Sequence, residues 1–259
     1  MNPEKVPITL YRGFPGSGQY TWSPFVTKLE ARMRFAGVSY RTEAGSPRTA
    51  PRGKIPYVEI GAEDGSSRTI ADSTLIIKDL IDNEIFDDIN AAGLTPAEKT
   101  FDLGLRALLE DRLYFVQSHE KWVENYYTMR DHVLGSIPYP VRILVGLVAY
   151  RKNVQTLQGQ GTGRFSADEI AAMREELWGS LGSLLLLAKA SRSEEDADGM
   201  FWALGGNRRP RRMPSASDSL SRPWCPQNTK TVRDFPVLEE YATKIHDRYF
   251  PEYTRWDDM

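Results

Sequence analysis

Gly53-Lys54-Ile55-Pro56-Tyr57-Val58-Glu59-Ile60, followed by Ile70-Ala71-Asp72-Ser73-Thr74-Leu75-Ile76-Ile77, decides the fold. The first stretch reads as a strand entered through an Ile-Pro bond. A Gly/Ser turn, a second short strand and a helix opening on Asp72-Ser73 come after it. Proline has no N–H to give to a ladder, so it belongs at a strand's first residue or edge, in some proteins as a cis turn. A helix that opens beside such an edge offers free N–H groups and positive partial charge. An exposed edge next to an anion-holding helix start is a way to bind a short peptide that carries a carboxylate.

Upstream, Pro7 to Tyr11 gives a strand signal and Gly13 to Gly18 a glycine-rich loop. Ser23 to Phe35 reads as a helix, with Phe25, Val26, Leu29, Met33 and Ala36 near one face. Gly37 ends it, as glycine commonly does just past a helix. Val38 to Thr42 is rich in strand formers, whereas Thr42 to Arg52 is polar, carries two prolines and reads as a loop. Tyr57 to Ile60, a turn at 64–67, Arg68 to Ile70 and a helix from Asp72 to about Asn83 complete the stretch. The order β-α-β-β-β-α is a β-α-β half followed by a β-β-α half, the arrangement of a thioredoxin-like α/β domain.

From Thr95 the pattern is helical. Thr95-Pro96-Ala97-Glu98 combines an N-cap, proline at the first helical position and a capping-box Glu. Phe101, Leu105, Leu108, Leu109, Leu113 and Val116 follow at helical spacing, and the helix is expected to run past Trp122 toward Tyr127. Ser166-Ala167-Asp168-Glu169 is a second capping box, opening a helix through Met173, Leu177, Leu181 and Leu184 to Leu187. A last helix spans Thr231 to Tyr249, bent or restarted near Pro236. The expected organisation is an α/β domain over 1–83, a connection over 84–94, and an all-helical domain over 95–259.

Composition narrows the function classes. The 33 basic and 35 acidic residues give a formal net charge of −2, with no basic stripe interleaved with aromatics, so nucleic acid is not an expected partner. Cys225 is the only cysteine, which excludes an internal disulfide framework and any multi-cysteine metal site. His119, His132 and His246 lack close ligand spacing, and no metal is expected. The apolar runs Val141 to Tyr150, broken by Arg142, and Leu184 to Ala188 fall short of the ~20 residues that span a bilayer. Met-Asn-Pro-Glu-Lys leads straight into a strand rather than an apolar leader, so a cytoplasmic protein without a transmembrane segment is expected.

Four passages together resemble the glutathione transferase superfamily, and within it the metaxin-related branch that includes failed axon connections proteins. They are Ser23-Pro24-Phe25-Val26-Thr27-Lys28-Leu29-Glu30, Gly53-Lys54-Ile55-Pro56, Gly159-Gln160-Gly161-Thr162-Gly163-Arg164-Phe165-Ser166, and the terminal Phe235-Pro236 to Phe250-Pro251. The third is the most specific to that branch. No strand precedes its glycines, so it is no nucleotide fingerprint. The resemblance implies a thioredoxin-like domain joined to a helical one, with glutathione as co-substrate. It implies that Pro56, in the cis form, presents the Ile55 backbone to the cysteinyl part of glutathione. Ser73 and the helix N–H groups would take the γ-glutamyl carboxylate, and Asp72 would face the ammonium. Ser23, at the start of the first helix, occupies the place of a thiol-activating residue, and Tyr11, near the end of the first strand, is the competing activator.

Each assignment has a plainer rival. Ser23 before Pro24 reads equally as an N-cap, Tyr11 as a half-buried strand residue, and Asp72 with Ser73 as a helix cap. Trp122, Tyr126 and Tyr127 would either line an apolar co-substrate pocket or pack on a long helix. One passage departs from the superfamily: after Ser215-Ala216-Ser217-Asp218 the expected apolar helix is replaced by Ser219-Leu220-Ser221-Arg222-Pro223-Trp224-Cys225-Pro226. Two prolines and a charge cannot continue a buried helix, so 206–228 is read as divergent or disordered, an altered reading frame or a surface loop. The leading function is conjugation of glutathione to a small apolar electrophile. The alternative is a non-catalytic interaction protein of metaxin type on the same fold, and a homodimer is left open. Thiol–disulfide exchange is disfavoured, because Ser23-Pro24-Phe25-Val26 holds no cysteine.

Overall fold

A computed structural model of the 259-residue chain describes residues 6–13, 18–62, 65–85, 95–135, 137–191, 201–202 and 234–255. Its first part is the thioredoxin-like unit the sequence points to. Strands β1 (Ile8–Tyr11), β2 (Arg41–Glu43), β3 (Tyr57–Gly61) and β4 (Ser67–Ala71) form one sheet in the order β2-β1-β3-β4. β1 runs parallel to β2 and antiparallel to β3, and β3 is antiparallel to β4. Helices α1 (Pro24–Phe35) and α2 (Ser73–Asp82) pack on the same sheet face. Ile8, Leu10, Val58 and Ile60 point into that layer and meet Leu29 and Met33 of α1 and Ile76 and Leu80 of α2. The alternation along the strands sends Tyr11 and Tyr57 to the opposite face, where their rings stack at 4.3 Å and 7°.

The expected turn and helix boundaries hold closely here. Gly37 takes φ +70° just after α1 and donates its N–H to the Arg34 carbonyl. The second strand is shorter and later than the β-former run suggests, with Arg41–Glu43 in place of Val38 to Thr42. The Val38 N–H is instead used by the Met33 carbonyl to close the helix end, so the ladder starts after it.

The second part is helical among the described residues. The Thr95 capping box opens α3 (Pro96–Ala107) as expected. The chain then continues as one winding column through a π-helical turn (Leu108–Leu113), α4 (Tyr114–His119) and a second π-helical turn (Glu120–Glu124). It breaks at Asn125, whose N–H and side-chain amide both donate to the Glu120 carbonyl, short of the expected Tyr127. α5 (Tyr126–Val133) and α6 (Tyr139–Gln160) follow. α7 (Ala167–Ala190) starts on the Ser166 capping box, and α8 (Pro236–Tyr249) closes the described chain. α8 begins at Pro236, where a bend or restart is expected, and Thr231 to Arg233 lie outside the described residues.

Leu105, Leu109, Leu113 and Val116 meet Leu177, Trp178, Leu181 and Leu185 of α7 and Leu238, Tyr241 and Ile245 of α8 in one core. The inward stripe of α7 passes through Leu185 and Ala188, so Leu187, expected on it, is instead exposed. α6 is a full helix that the uncapped run Val141 to Tyr150 does not announce. The glycine passage after it is a corner between helices. Gly161 closes α6 at φ +110°, the left-handed region glycine enters without Cβ strain, and Gln160 Oε1 accepts from the Thr162 N–H at 3.0 Å. Residues 206–228, including Cys225, and the connection over 86–94 lie outside the described residues.

Candidate active site

The register of the β3–β4 hairpin assembles the first half of the site. Tyr57 pairs with Ala71, so the next step outward sets Pro56 beside Asp72, and the Asp72 N–H donates to the Pro56 carbonyl at 3.2 Å. The Ile55–Pro56 peptide is cis. Asp72 holds φ +86°, a conformation uncommon for a residue with a side chain, and it turns the chain from β4 into α2. Its Oδ1 accepts the N–H groups of Thr74 at 3.0 Å and Leu75 at 3.4 Å. Asp72 is therefore the N-cap of α2, and its second oxygen lies 3.7 Å from Lys54 Nζ. Two N–H groups of the first turn are thus taken from within the chain, and Ser73 is buried, 3% exposed.

The second half is the start of α1. Ser23 has the extended backbone of an N-cap, φ −93° and ψ 113°, and its carbonyl accepts the Val26 N–H at 3.2 Å. Its hydroxyl makes no capping hydrogen bond, and the side chain is only partly buried. A partly accessible hydroxyl at the positive end of a helix is set to donate to an anion.

Lys28 joins the two halves, a role the sequence pattern did not reveal. The residue is 2% exposed, and its Nζ donates to Thr74 Oγ1 at 3.0 Å and pairs with Glu110 Oε1 at 2.6 Å. One buried ammonium thus ties α1 to the start of α2 and to the π-helical turn of the helical part. Five residues, about 7.5 Å of helix rise, separate it from Ser23. α1 also buries Glu30 and Arg32, so Lys28 is one of three charged side chains that the helix takes out of water, where a charge is rarely found without a partner.

Tyr11 is engaged elsewhere. Its hydroxyl donates to Glu59 Oε2 at 3.1 Å on the sheet face opposite α1, and burial and the Glu59 charge hold its proton more tightly than an ordinary phenol. The Ser67 hydroxyl and, after it, the Tyr11 hydroxyl hold the Glu59 carboxyl below the usual range. Phe25, in the first turn of α1, has its ring 5.0 Å from that of Tyr114, with Phe115 next to Tyr114. Tyr126 and Tyr127 instead pack on each other, and Tyr126 on Tyr150 of α6. Among the described residues there is no cluster of His, Cys, Asp and Glu that could hold a metal ion.

A second buried network fixes the chain that leads to Ser23. The Arg12 guanidinium, 1% exposed, pairs with Glu30 of α1 at 3.2 Å and donates to the Gln19 carbonyl. Tyr253 donates to the same Glu30 oxygen, Oε1, at 2.8 Å, and Thr254 N–H reaches the Gly18 carbonyl at 3.3 Å. Burial pushes the Glu30 carboxyl above its usual range, and the neighbouring Arg12 opposes this.

Residues 24–129 match the family model described as the glutathione S-transferase N-terminal domain. The isoprene-epoxide–glutathione S-transferase of Rhodococcus sp. (strain AD45) is 28% identical over 172 residues, covering 63% of this chain and 70% of that protein. The solved structure of glutathione transferase GSTFuA2 from Phanerochaete chrysosporium has a TM-score of 0.53 at 14% identity, covering 94% of this chain and 98% of that one. A glutathione transferase family member from Pseudomonas fluorescens Pf-5 with two glutathione bound has a TM-score of 0.50 at 12% identity, over 96% and 91% of the two chains. At such identities the solved structures share the fold.

Proposed function

We propose that this chain belongs to the glutathione S-transferase superfamily, binds glutathione along the Ile55–Pro56 edge and conjugates it to a small apolar electrophile. The observation that carries the proposal is the Ser23 hydroxyl, which stands at the start of α1 without serving as a cap. A capping serine would have spent its oxygen on the second or third helical N–H. Here the hydroxyl is left to donate to a thiolate, and the helix dipole adds to the stabilisation. Ile55 and Pro56 would align the cysteinyl backbone and Ser73 would receive the γ-glutamyl carboxylate. Asp72 keeps one oxygen for the ammonium, within reach of Lys54. Phe25, Tyr114 and Phe115 would form the apolar wall for the electrophile. Catalysis would consist of positioning and thiolate stabilisation.

Of the two activators, Ser23 is favoured over Tyr11, whose hydroxyl is committed to Glu59. The Gly159–Ser166 corner supports placement in the metaxin-related, failed axon connections-like branch. The interaction-protein reading draws its support from Asp72, whose carboxylate already caps α2. Retention on immobilised glutathione, followed by elution with free glutathione and assay with small epoxides, tests the proposal. A folded protein that passes unretained and leaves epoxide and glutathione unreacted defeats it.

A further inference from the structure

Between Val141 and Val148, α6 shows solvent six large aliphatic side chains, with Leu144 at 67% and Val148 at 68% exposure. Val141, Leu144, Val145 and Val148 follow the i, i+3, i+4, i+7 spacing of a single helix face. Arg151 and Lys152 come three and four residues after Val148, so the same stripe ends in two exposed cations. Neither is in an ion pair among the described residues. Tyr139 and Tyr127 stand exposed at the other border of the patch, with the Arg130 guanidinium over both rings. The 22 residues of α6 contain no Asp or Glu.

We propose that this face of α6 is a docking surface for an anionic lipid bilayer, on which the protein lies peripherally. An aliphatic centre, amphipathic tyrosines at one border and cations at the other is the layout of a helix lying in the membrane interface. The helix is not long and apolar enough to cross a membrane, so it would lie in the headgroup boundary. Large exposed apolar patches rimmed by polar residues mark protein or membrane interaction sites. Charge selects the occupant. Two parallel copies of α6 would bring Arg151 and Lys152 together. Two antiparallel copies would bring them against the helix N-terminus, which is itself positive. Anionic headgroups complement both cations and leave the stripe to the acyl boundary. This inference stands apart from glutathione chemistry, because none of these residues belongs to the site.

The test is flotation of the full-length protein with vesicles of phosphatidylcholine alone and of phosphatidylcholine with phosphatidylserine. The expected result is binding to the anionic vesicles that weakens with salt. The exposed double variant L144E/V148E should lose it, and R151E/K152E should lower partitioning about ten-fold or more. Unchanged melting temperatures of both variants show that the fold is intact. Absence of binding by the parent protein overturns the proposal, as does equal binding by the variants. A parent protein that is dimeric in solution, becomes monomeric on Val148→Glu and ignores vesicles also overturns it, and makes the face a subunit interface.

Discussion

Replacing Ser23 by Ala isolates the proposed chemistry, because the hydroxyl supports no helix hydrogen bond and its loss should cost the fold little. A hydrogen bond to a charged group contributes roughly 1.5–3 kcal/mol, and a helix N-terminus about 0.3–1 kcal/mol more. At 1.36 kcal/mol per pKa unit, the two together lower a thiol from about 8.5 to about 6–7. Ser23→Ala leaves the dipole in place and removes the hydrogen bond, so the bound thiol should rise by about 1–2 units. Conjugation at pH 6.5 should then fall about ten-fold or more, whereas at pH 9, where both forms are largely thiolate, the difference should shrink to within about three-fold. Thiolate absorbance titrated on the complexes and the pH profile of kcat/KM read the same quantity. A loss of equal size at every pH would assign Ser23 to positioning. No loss at all would refute the reasoning, and loss in Tyr11→Phe instead would move the activation to the other sheet face.

Substitutions at three other positions test the surroundings. Asp72→Asn keeps a side chain that caps helices and tolerates positive φ but removes the charge, so calorimetry should show glutathione affinity about ten-fold weaker with a nearly unchanged melting temperature. Lys28→Met should lower the free energy of urea unfolding by about 3 kcal/mol, because it strands Glu110 opposite an apolar side chain, and Lys28→Arg should restore part of it. Glu30 has its carboxyl raised by burial, so between the ordinary glutamate value and the raised one the folded state holds a proton that the unfolded state has released. Its contribution is complete below the ordinary value and is lost as pH rises through the raised one. Glu30→Gln, measured by denaturation across the weakly acidic range, should flatten that fall.

The α/β part of the fold was legible because its signals are local. Proline at a strand start, glycine after a helix and Asp-Ser at a helix start each report one backbone position, and each stands where expected. The two capping boxes were equally plain. α6 was not legible, since it has no side-chain cap and Ile143 and Leu147 blur the helical spacing of Val141, Leu144, Val145 and Val148. The column from Pro96 to Glu124 read as one helix because apolar spacing cannot distinguish 3.6 residues per turn from a π-helical turn inserted twice.

The site was legible in its edges and not in its ties, for a physical reason. Ile55, Pro56, Asp72 and Ser73 are brought together by a hairpin register, which neighbouring residues encode. Lys28, Thr74 and Glu110 meet across three elements up to 82 residues apart, and no spacing rule joins them. Their arrangement also explains why the two helix starts differ. The start of α2 is closed by Asp72 from within its own chain and then anchored by Lys28 through Thr74. The start of α1 receives no such closure: Ser23 gives its carbonyl to Val26 and keeps its hydroxyl. If Ser23 were a mere cap as Asp72 is, the two ends should be satisfied alike. A fold that ties one end down with a buried ion pair and leaves a donor unspent at the other has separated holding from acting. The hydroxyl left unspent is therefore the one on which the activity should depend.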